Sequence, residues 1–246
     1  MSEMMAKKLF MMDGQPVPFV DGQTVLQAAM AAGIFIPHLC YHPEFKPHGS
    51  CKLCTVKAAG RFVSACTVQV KEGMEVENNT PELNDQRRTM LQMLFVEGNH
   101  FCPSCEKSGN CMLQGLAYEL EMLTPHFPHF YPDRPVDASH PDVLLDFNRC
   151  ILCELCVRAS RDIDGKSVFA LTGRGIHKHL VVSSESNKLG DTDFSLQDKA
   201  AHVCPVGVIL QKRKGFAVPI GERLYDKSLM SEQVDRLSKR TASEGA

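Results

Sequence analysis

Asn148-Arg149-Cys150-Ile151-Leu152-Cys153-Glu154-Leu155-Cys156 is the stretch on which the reading of this chain turns. Two residues separate each cysteine from the next, and Cys204-Pro205 supplies a fourth thiol well downstream. Cys-x-x-Cys puts two thiolates on one tight turn, where both reach one metal centre and the loop N–H groups point at the sulfurs. A triplet with a remote Cys-Pro suits a cube of four irons, with the remote cysteine on the fourth corner. Zinc ribbons use two separated pairs and fit this run badly. A two-cube run would carry a further cysteine four residues after the triplet. Ser160 stands there, so one cube is expected.

All eleven cysteines fall into three such groups. Cys40, Cys51, Cys54 and Cys66 form the first, with three on one long loop and the last on a strand. That arrangement suits a [2Fe–2S] cluster, although its first gap is longer than in the plant-type run. Cys102, Cys105 and Cys111 form the second, one ligand short of a cube. His100, two residues before Cys102, is the expected fourth ligand. The alternatives are a histidine that caps the preceding helix, or a corner left to water. A neutral imidazole in place of a thiolate makes a cluster less negative and raises its potential. Cys111 opens a helix, whose positive end favours an anionic cluster. One [2Fe–2S] and two [4Fe–4S] clusters thus find their ligands in eleven Cys and one His. The rival reading is a set of zinc sites or inert buried thiols.

Composition agrees with a metalloprotein of the cytoplasm. The chain has 246 residues, 43% hydrophobic and 23% charged, with a net charge of −2. There is no basic field for nucleic acid, and with no Trp and only 4 Tyr there is little to stack on bases. An odd cysteine count in a chain of this length argues against a secreted disulfide framework. Residues 1–12 lack the apolar core of a signal peptide, and the longest apolar stretch, around Ala28 to Ile36, is too short to span a membrane. Reduced thiols held by metal follow. Lys52, Lys107, Arg149 and Arg158 sit beside the expected ligands and can offset the clusters' negative charge.

The pattern of elements is α+β. Lys8–Met11 and Val17–Val20 flank Asp13-Gly14 as a hairpin, and Thr24 caps a helix over Val25–Ala32 that ends at Gly33. Thr55–Lys57 and Arg61–Val70 read as further strands around Ala59-Gly60. Asn79-Thr80-Pro81 starts a helix that Gly98-Asn99 ends, and a second helix follows the loop of residues 100–110. Residues 125–141 read as an extended crossing segment. The expected units are 1–79, 80–124 and 125–221, with a tail over 222–246. In the tail Leu224, Leu229, Val234 and Leu237 are spaced for a weakly amphipathic helix, docked on a partner or frayed. The chain holds no Gly-x-Gly-x-x-Gly and no phosphate-binding loop, and Gly173-Arg174-Gly175 reads as a turn. His38, His42 and His48 read as loop residues, His177 and His179 as surface, His202 as at most a donor to a ligand. The Met4-Met5, Met11-Met12, Met90 and Met93 groups read as core or chain-end residues, and Lys212-Arg213-Lys214 as a partner contact.

Three segments carry a family resemblance: Cys40 with Gly49-Ser50-Cys51-Lys52-Leu53-Cys54 and Cys66, Glu97-Gly98-Asn99-His100-Phe101-Cys102-Pro103-Ser104-Cys105 through Gln114, and Asn148–Cys156. They resemble the electron-conducting module at the N-terminus of the large iron–sulfur subunit of respiratory complex I. Relatives of that module occur in iron-only hydrogenases, NAD-dependent formate dehydrogenases and NAD-reducing nickel–iron hydrogenases. The short length and the ending Cys204-Pro205-Val206-Gly207 are most similar to the small diaphorase iron–sulfur subunit of the last group. The resemblance implies a β-grasp [2Fe–2S] ferredoxin-like domain, a helical His/Cys cluster domain and a ferredoxin-like [4Fe–4S] domain. It implies an electron-transfer subunit, not catalytic by itself, between nickel–iron hydrogenase subunits and a flavin/NAD-binding diaphorase subunit. The same relay in a formate dehydrogenase or a complex I-like assembly is the alternative, and a zinc-binding interaction protein the more distant one.

Overall fold

The computed structural model describes residues 8–238, so Met4 and Met5 and the end of the tail lie outside the described residues. The chain opens with the expected hairpin. Strand β1 (Lys8–Met12) pairs antiparallel with β2 (Gln15–Phe19), with Met12 opposite Gln15. Asp13 (φ 50°) and Gly14 (φ 79°) both take positive φ, the two-residue turn whose twist matches its strands. Helix α1 (Val25–Ala31) starts at Thr24, whose hydroxyl accepts from the Gln27 N–H while the Gln27 side chain accepts from the Thr24 N–H. This reciprocal cap contributes about 1 kcal/mol. Strands β3 (Thr55–Ala58) and β4 (Arg61–Ser64) repeat the hairpin device with Ala59 and Gly60 at positive φ.

β4 is shorter than its sequence suggests. The Thr67 and Val68 N–H groups both turn back to the Ser64 carbonyl, so the ladder stops and Cys66 is carried onto a turn instead of a strand. The unforeseen strand is β5 (Glu75–Glu77). It lies at the middle of the sheet, order β2-β1-β5-β3-β4, parallel to β1 and antiparallel to β3. Three residues with one inward side chain, Val76, are too few to show a period. Phe10, Met12, Val17, Leu26, Ala29 and Val56 are fully or almost fully buried and make the core between this sheet and α1.

Helix α2 (Pro81–Val96) is capped by Thr80 and carries Glu82 at its positive end. It docks on the first sheet through Arg87, whose guanidinium is buried. Arg87 donates to the Thr55 carbonyl, the Asn78 carbonyl and Asn78 Oδ1, each at 2.8 Å. Burial pulls its pKa down to about 10, still charged at neutral pH. Helix α3 (Met112–Glu119) packs on α2 and starts at Cys111.

The last unit is built from β6 (Val136–Asp137), β7 (Val143–Asp146), α4 (Leu155–Asp162), the antiparallel pair β8 (Phe169–Thr172) and β9 (His179–Val182), α5 (Lys199–His202) and β10 (Ile209–Gln211). One sheet runs β10-β7-β6. Ser160 is buried on α4, and its hydroxyl accepts from the Val168 N–H at 2.8 Å, a structural role. Lys212 and Arg213 are engaged within the chain. Lys212 Nζ donates to the Ala138 and His140 carbonyls and Arg213 pairs with Asp142. The tail differs from expectation. It forms a 3-10 turn over Met230–Gln233 and a short helix α6 (Val234–Ser238), and it folds back on its own chain. Tyr225, Met230, Val234 and Leu237 are buried, against α3 and α1. Gly115 makes room for it, because a Cβ there would come within 3.0 Å of both Met230 Sδ and the Tyr225 ring. No helix among the described residues is long and apolar enough to cross a membrane.

Arg87→Met leaves the Thr55 and Asn78 carbonyls without their donor. The expected cost is about 2–4 kcal/mol of stability. It is measured as a lower denaturant midpoint with an unchanged slope; a wild-type midpoint would contradict the docking role.

Candidate metal centres

The first group is a buried loop closed by a turn. Cys40, Cys51, Cys54 and Cys66 are all buried and free of disulfides. Lys52 takes left-handed backbone (φ 57°), which curls Cys51-Lys52-Leu53-Cys54 into a tight concave turn. For a residue with a Cβ this conformation costs about 1–2 kcal/mol, so the surroundings must hold it. The sulfurs stand in two pairs. Cys54 Sγ and Cys66 Sγ are 3.3 Å apart, and Cys40 Sγ accepts from the Cys51 N–H at 3.5 Å. The Cys51 thiol, hydrogen-bonded to Cys40, lowers the Cys40 pKa, and Cys54 does the same for Cys66. Cys51 and Cys54 themselves rise. Two pairs of sulfurs, each ready to share one ion, fit a two-iron rhomb.

The second group lies between α2 and α3. Cys102 opens a 3-10 turn (Cys102–Ser104), and Cys111 is the N-cap of α3. Gln114, one helical turn in, orders the loop by accepting from the Gly109 N–H at 2.7 Å and donating to the Tyr118 hydroxyl at 3.0 Å. His100, Cys102, Cys105 and Cys111 line one hollow, together with Arg149 and Gly207. Burial pulls His100 down to about 4, helped by Arg149 and Arg134, so the ring is neutral at pH 7. Its Nε2 is buried with no hydrogen-bond partner among the described residues, while the Leu94 backbone bonds the ring. A neutral imidazole with one nitrogen anchored and the other bare is a metal ligand's arrangement. Burial pushes the Cys111 thiol up to about 12 and raises Cys102. A thiolate there needs a cationic metal core opposite it.

The third group repeats this design. Cys150, Cys153, Cys156 and Cys204 line one hollow with Ile151, Leu171, Leu180, Val206 and Val208. Leu152 (φ 54°) and Glu154 (φ 60°) both take left-handed backbone on either side of Cys153, winding the triplet around the hollow. The Leu152 N–H donates to Cys150 Sγ at 3.4 Å, and Cys156 sits in the first turn of α4. Burial pushes Cys150 up to about 11 and Cys153 and Cys156 well above their ordinary range. Among the described residues no three His, Cys, Asp or Glu converge closely enough for a single metal ion. A cube spreads its ligands over its corners and needs no such convergence.

The groups touch in sequence. Gly207, three residues after Cys204, abuts the second group. A Cβ there would lie 3.1 Å from Cys105 Sγ and 3.3 Å from Arg149 Cδ, while Val206 and Val208 face the third cavity. Arg149 precedes Cys150 yet lines the second cavity, held by Glu106 and Asp146 at 2.7 Å each. Toward the first group, Arg158 donates to the carbonyls of both Cys40 and Cys153. The third group therefore stands between the other two.

The remaining candidate residues have ordinary roles. His38 Nδ1 bonds the Ile36 carbonyl at 2.8 Å, His48 pairs with Glu154 at 3.3 Å, and His202 bonds the Leu196 carbonyl, not a cysteine. Lys52 reaches Ser64 at 3.4 Å. Gly173 and Gly175 are in a turn. Residues not foreseen are Gly98, Gly207, Arg134 and Gln114. The glycines are legible only as close approaches, which no spacing announces, and Arg134 reaches the Cys150 carbonyl at 3.3 Å from the crossing segment.

Fold and donor groups together define an iron–sulfur protein with three cluster-binding regions. Family models match each in turn: a 2Fe-2S iron-sulfur cluster binding domain over residues 9–81, the NADH-ubiquinone oxidoreductase-G iron-sulfur binding region over 87–126, and a 4Fe-4S single cluster domain over 143–210. The chain is 40% identical over 216 residues to the gamma subunit of the NAD-reducing hydrogenase HoxS of Cupriavidus necator, covering 87% of this chain and 91% of that protein. It belongs to that family of hydrogenase gamma subunits. The NADH-quinone oxidoreductase of Rickettsia prowazekii has a subunit that is 30% identical over 206 residues, 83% of this chain but 30% of that longer protein. A chain in the crystal structure of an NAD+-reducing [NiFe]-hydrogenase in the H2-reduced state superposes with a TM-score of 0.91 at 51% identity, covering 95% of this chain and 99% of that one. One [2Fe–2S] and two [4Fe–4S] clusters are thus the cofactors.

Gly98→Ala places a Cβ 2.7 Å from His100 Nε2 and 2.8 Å from the Asn148 carbonyl. The expected result is a displaced imidazole and a loss of about 1–3 kcal/mol. Thermal unfolding and the spin signals of the loaded chain measure it; wild-type values for both would contradict the close approach.

Proposed function

We propose that this chain relays single electrons between a nickel–iron hydrogenase module and a flavin/NAD-binding diaphorase subunit, and that the three donor groups are its cluster ligands. Cys40, Cys51, Cys54 and Cys66 hold the [2Fe–2S] cluster. His100, Cys102, Cys105 and Cys111 hold one [4Fe–4S] cluster, and Cys150, Cys153, Cys156 and Cys204 the other. Each of the units 1–79, 80–124 and 125–221 carries one group. Clusters change charge by one electron whereas a hydride donor delivers two, so a row of them couples a flavin to a second redox site.

The observation that carries the reading is the succession of contacts, with the third group adjoining both others through Arg158 on one side and Gly207 on the other. An electron entering at either end finds the next site within the same chain. The protein's part is to hold each site in place and dry. Buried thiols line the sites, the Cys51 and Leu152 N–H groups donate to the Cys40 and Cys150 sulfurs, and the starts of α3 and α4 carry Cys111 and Cys156. The relatives' names set the partners: hydrogen oxidation on one side and NAD reduction on the other. We place the protein in the cytoplasm, where eleven free cysteines stay reduced.

Anaerobically purified holo-protein is expected to hold about ten irons per chain, from one two-iron and two four-iron clusters. A colourless, folded preparation made with ample iron and sulfide would refute the relay. His100→Ala is expected to alter the spin signal of one [4Fe–4S] cluster and spare the other two signals; three wild-type signals would remove His100 from the ligand set. Co-purification of the native complex with a molybdenum subunit, and no nickel, would move the relay to a formate dehydrogenase.

A further inference from the structure

Arg158 is buried on α4 at the seam between the first and third groups. Its guanidinium donates to four main-chain carbonyls: Cys40 at 2.8 Å, Lys46 at 2.9 Å, Cys153 at 3.3 Å and Glu154 at 3.3 Å. None of these hydrogen bonds goes to a carboxylate, although Asp162, exposed one turn further along α4 and bonded to Arg161, also feels its charge. The guanidinium also lies 5.7 Å from the centre of the Phe45 ring, whose centroid is 4.8 Å from that of His42 with the rings tilted by 34°. Arg149 makes an instructive contrast, because Glu106 and Asp146 cancel its charge.

A guanidinium remains charged at all relevant pH, and its flat fork of donors fixes two acceptors at a set separation. Here the two acceptors belong to residues of two different donor groups. Two further contacts cross the same seam. Lys199 pairs with Glu44 at 2.7 Å, and His48 pairs with Glu154 at 3.3 Å. Those pairs fasten the loop of residues 40–48 to the third unit. Arg158 alone among the three bonds residues whose own sulfurs line the sites.

We propose that Arg158 is the positioning residue of the step between the first and third groups. It holds the Cys40 and Cys153 loops at one separation, and its charge, hydrogen-bonded to carbonyls and to no carboxylate, favours the reduced state of both clusters. The step moves one electron, oxidising the donor by one unit and reducing the acceptor by one, with no bond made or broken and no proton moved. Added negative charge at either site is attracted to the same cation, strongly so in a buried seam. The inference rests on the ligand assignment above. Failure of that assignment shows in the wild type as missing cluster signals, whereas failure of this inference shows only in the variants.

The test is redox titration of the native complex with spin-resonance detection, in wild type, Arg158→Gln and Arg158→Lys. Arg158→Gln, without the charge, is expected to shift the potentials of the first and third groups' clusters downward together and to leave that of the His100 group in place. Arg158→Lys, with charge but no fork, is expected to hold both potentials near wild type while changing the magnetic coupling between the two reduced clusters. The double variant Lys199→Gln/Glu44→Gln, which removes a neighbouring seam ion pair without changing the net charge, is expected to leave both potentials unchanged. Unmoved potentials in Arg158→Gln, an equal shift of all three clusters, or the same shift in Lys199→Gln/Glu44→Gln would overturn the proposal. If Arg158→Gln fails to assemble its clusters, Arg158→Lys decides: wild-type coupling overturns the proposal and altered coupling supports it. Loss of clusters in both Arg158 variants would reduce Arg158 to a folding role and overturn it as well.

Discussion

Burying a thiolate in an apolar hollow is tolerable only when a cationic centre faces it, and that constraint orders the rest of this molecule. Burial holds Cys111, Cys150, Cys153 and Cys156 as neutral thiols in the metal-free chain. On the ligand assignment proposed above, binding iron would release their protons and supply the missing positive charge. The chain is built to make that exchange favourable. The backbone accepts costly left-handed residues at Lys52, Leu152 and Glu154 to wind around the first and third groups.

The second constraint is proximity. A relay works only if its sites sit close together and stay there, so the contacts between units matter as much as those within them. Three kinds of contact do this. Arg158, Lys199 and His48 fasten the first loop to the third unit. Gly207 and Arg149 join the third group to the second by close approach and by an ion-paired cation. The tail, through Tyr225 and Met230 against Gly115 and through α6 against α1, ties the second unit back to the first. Arg87 adds a fourth bond line from α2 to the strand that follows Cys54.

Legibility in the sequence followed chemical density. Cysteine spacing is an intrinsic signal, because two residues between thiols set their reach whatever the rest of the fold does. The I′ turns at Asp13-Gly14 and Ala59-Gly60, the Thr24 and Thr80 caps and the helix start at Cys111 are likewise local, and each lies where the residues themselves demand it. β5 is invisible in the sequence because three residues carry no period, and the end of β4 because it depends on two N–H groups turning back to Ser64. The tail had the spacing of a docking helix, but its partner is the chain's own α3 and α1, which no local pattern states.

Within the sequence alone lay the number and type of the metal sites, the α+β class and the want of any flavin or nucleotide motif, since these depend on residue chemistry and short-range spacing. Only the tertiary structure decided which sites adjoin. That depends on contacts such as Cys40 with Arg158 and Cys105 with Gly207, between residues far apart in the chain. The same is true of the bare His100 nitrogen. The residue was visible in the sequence, but its lack of a partner is a property of everything packed around it.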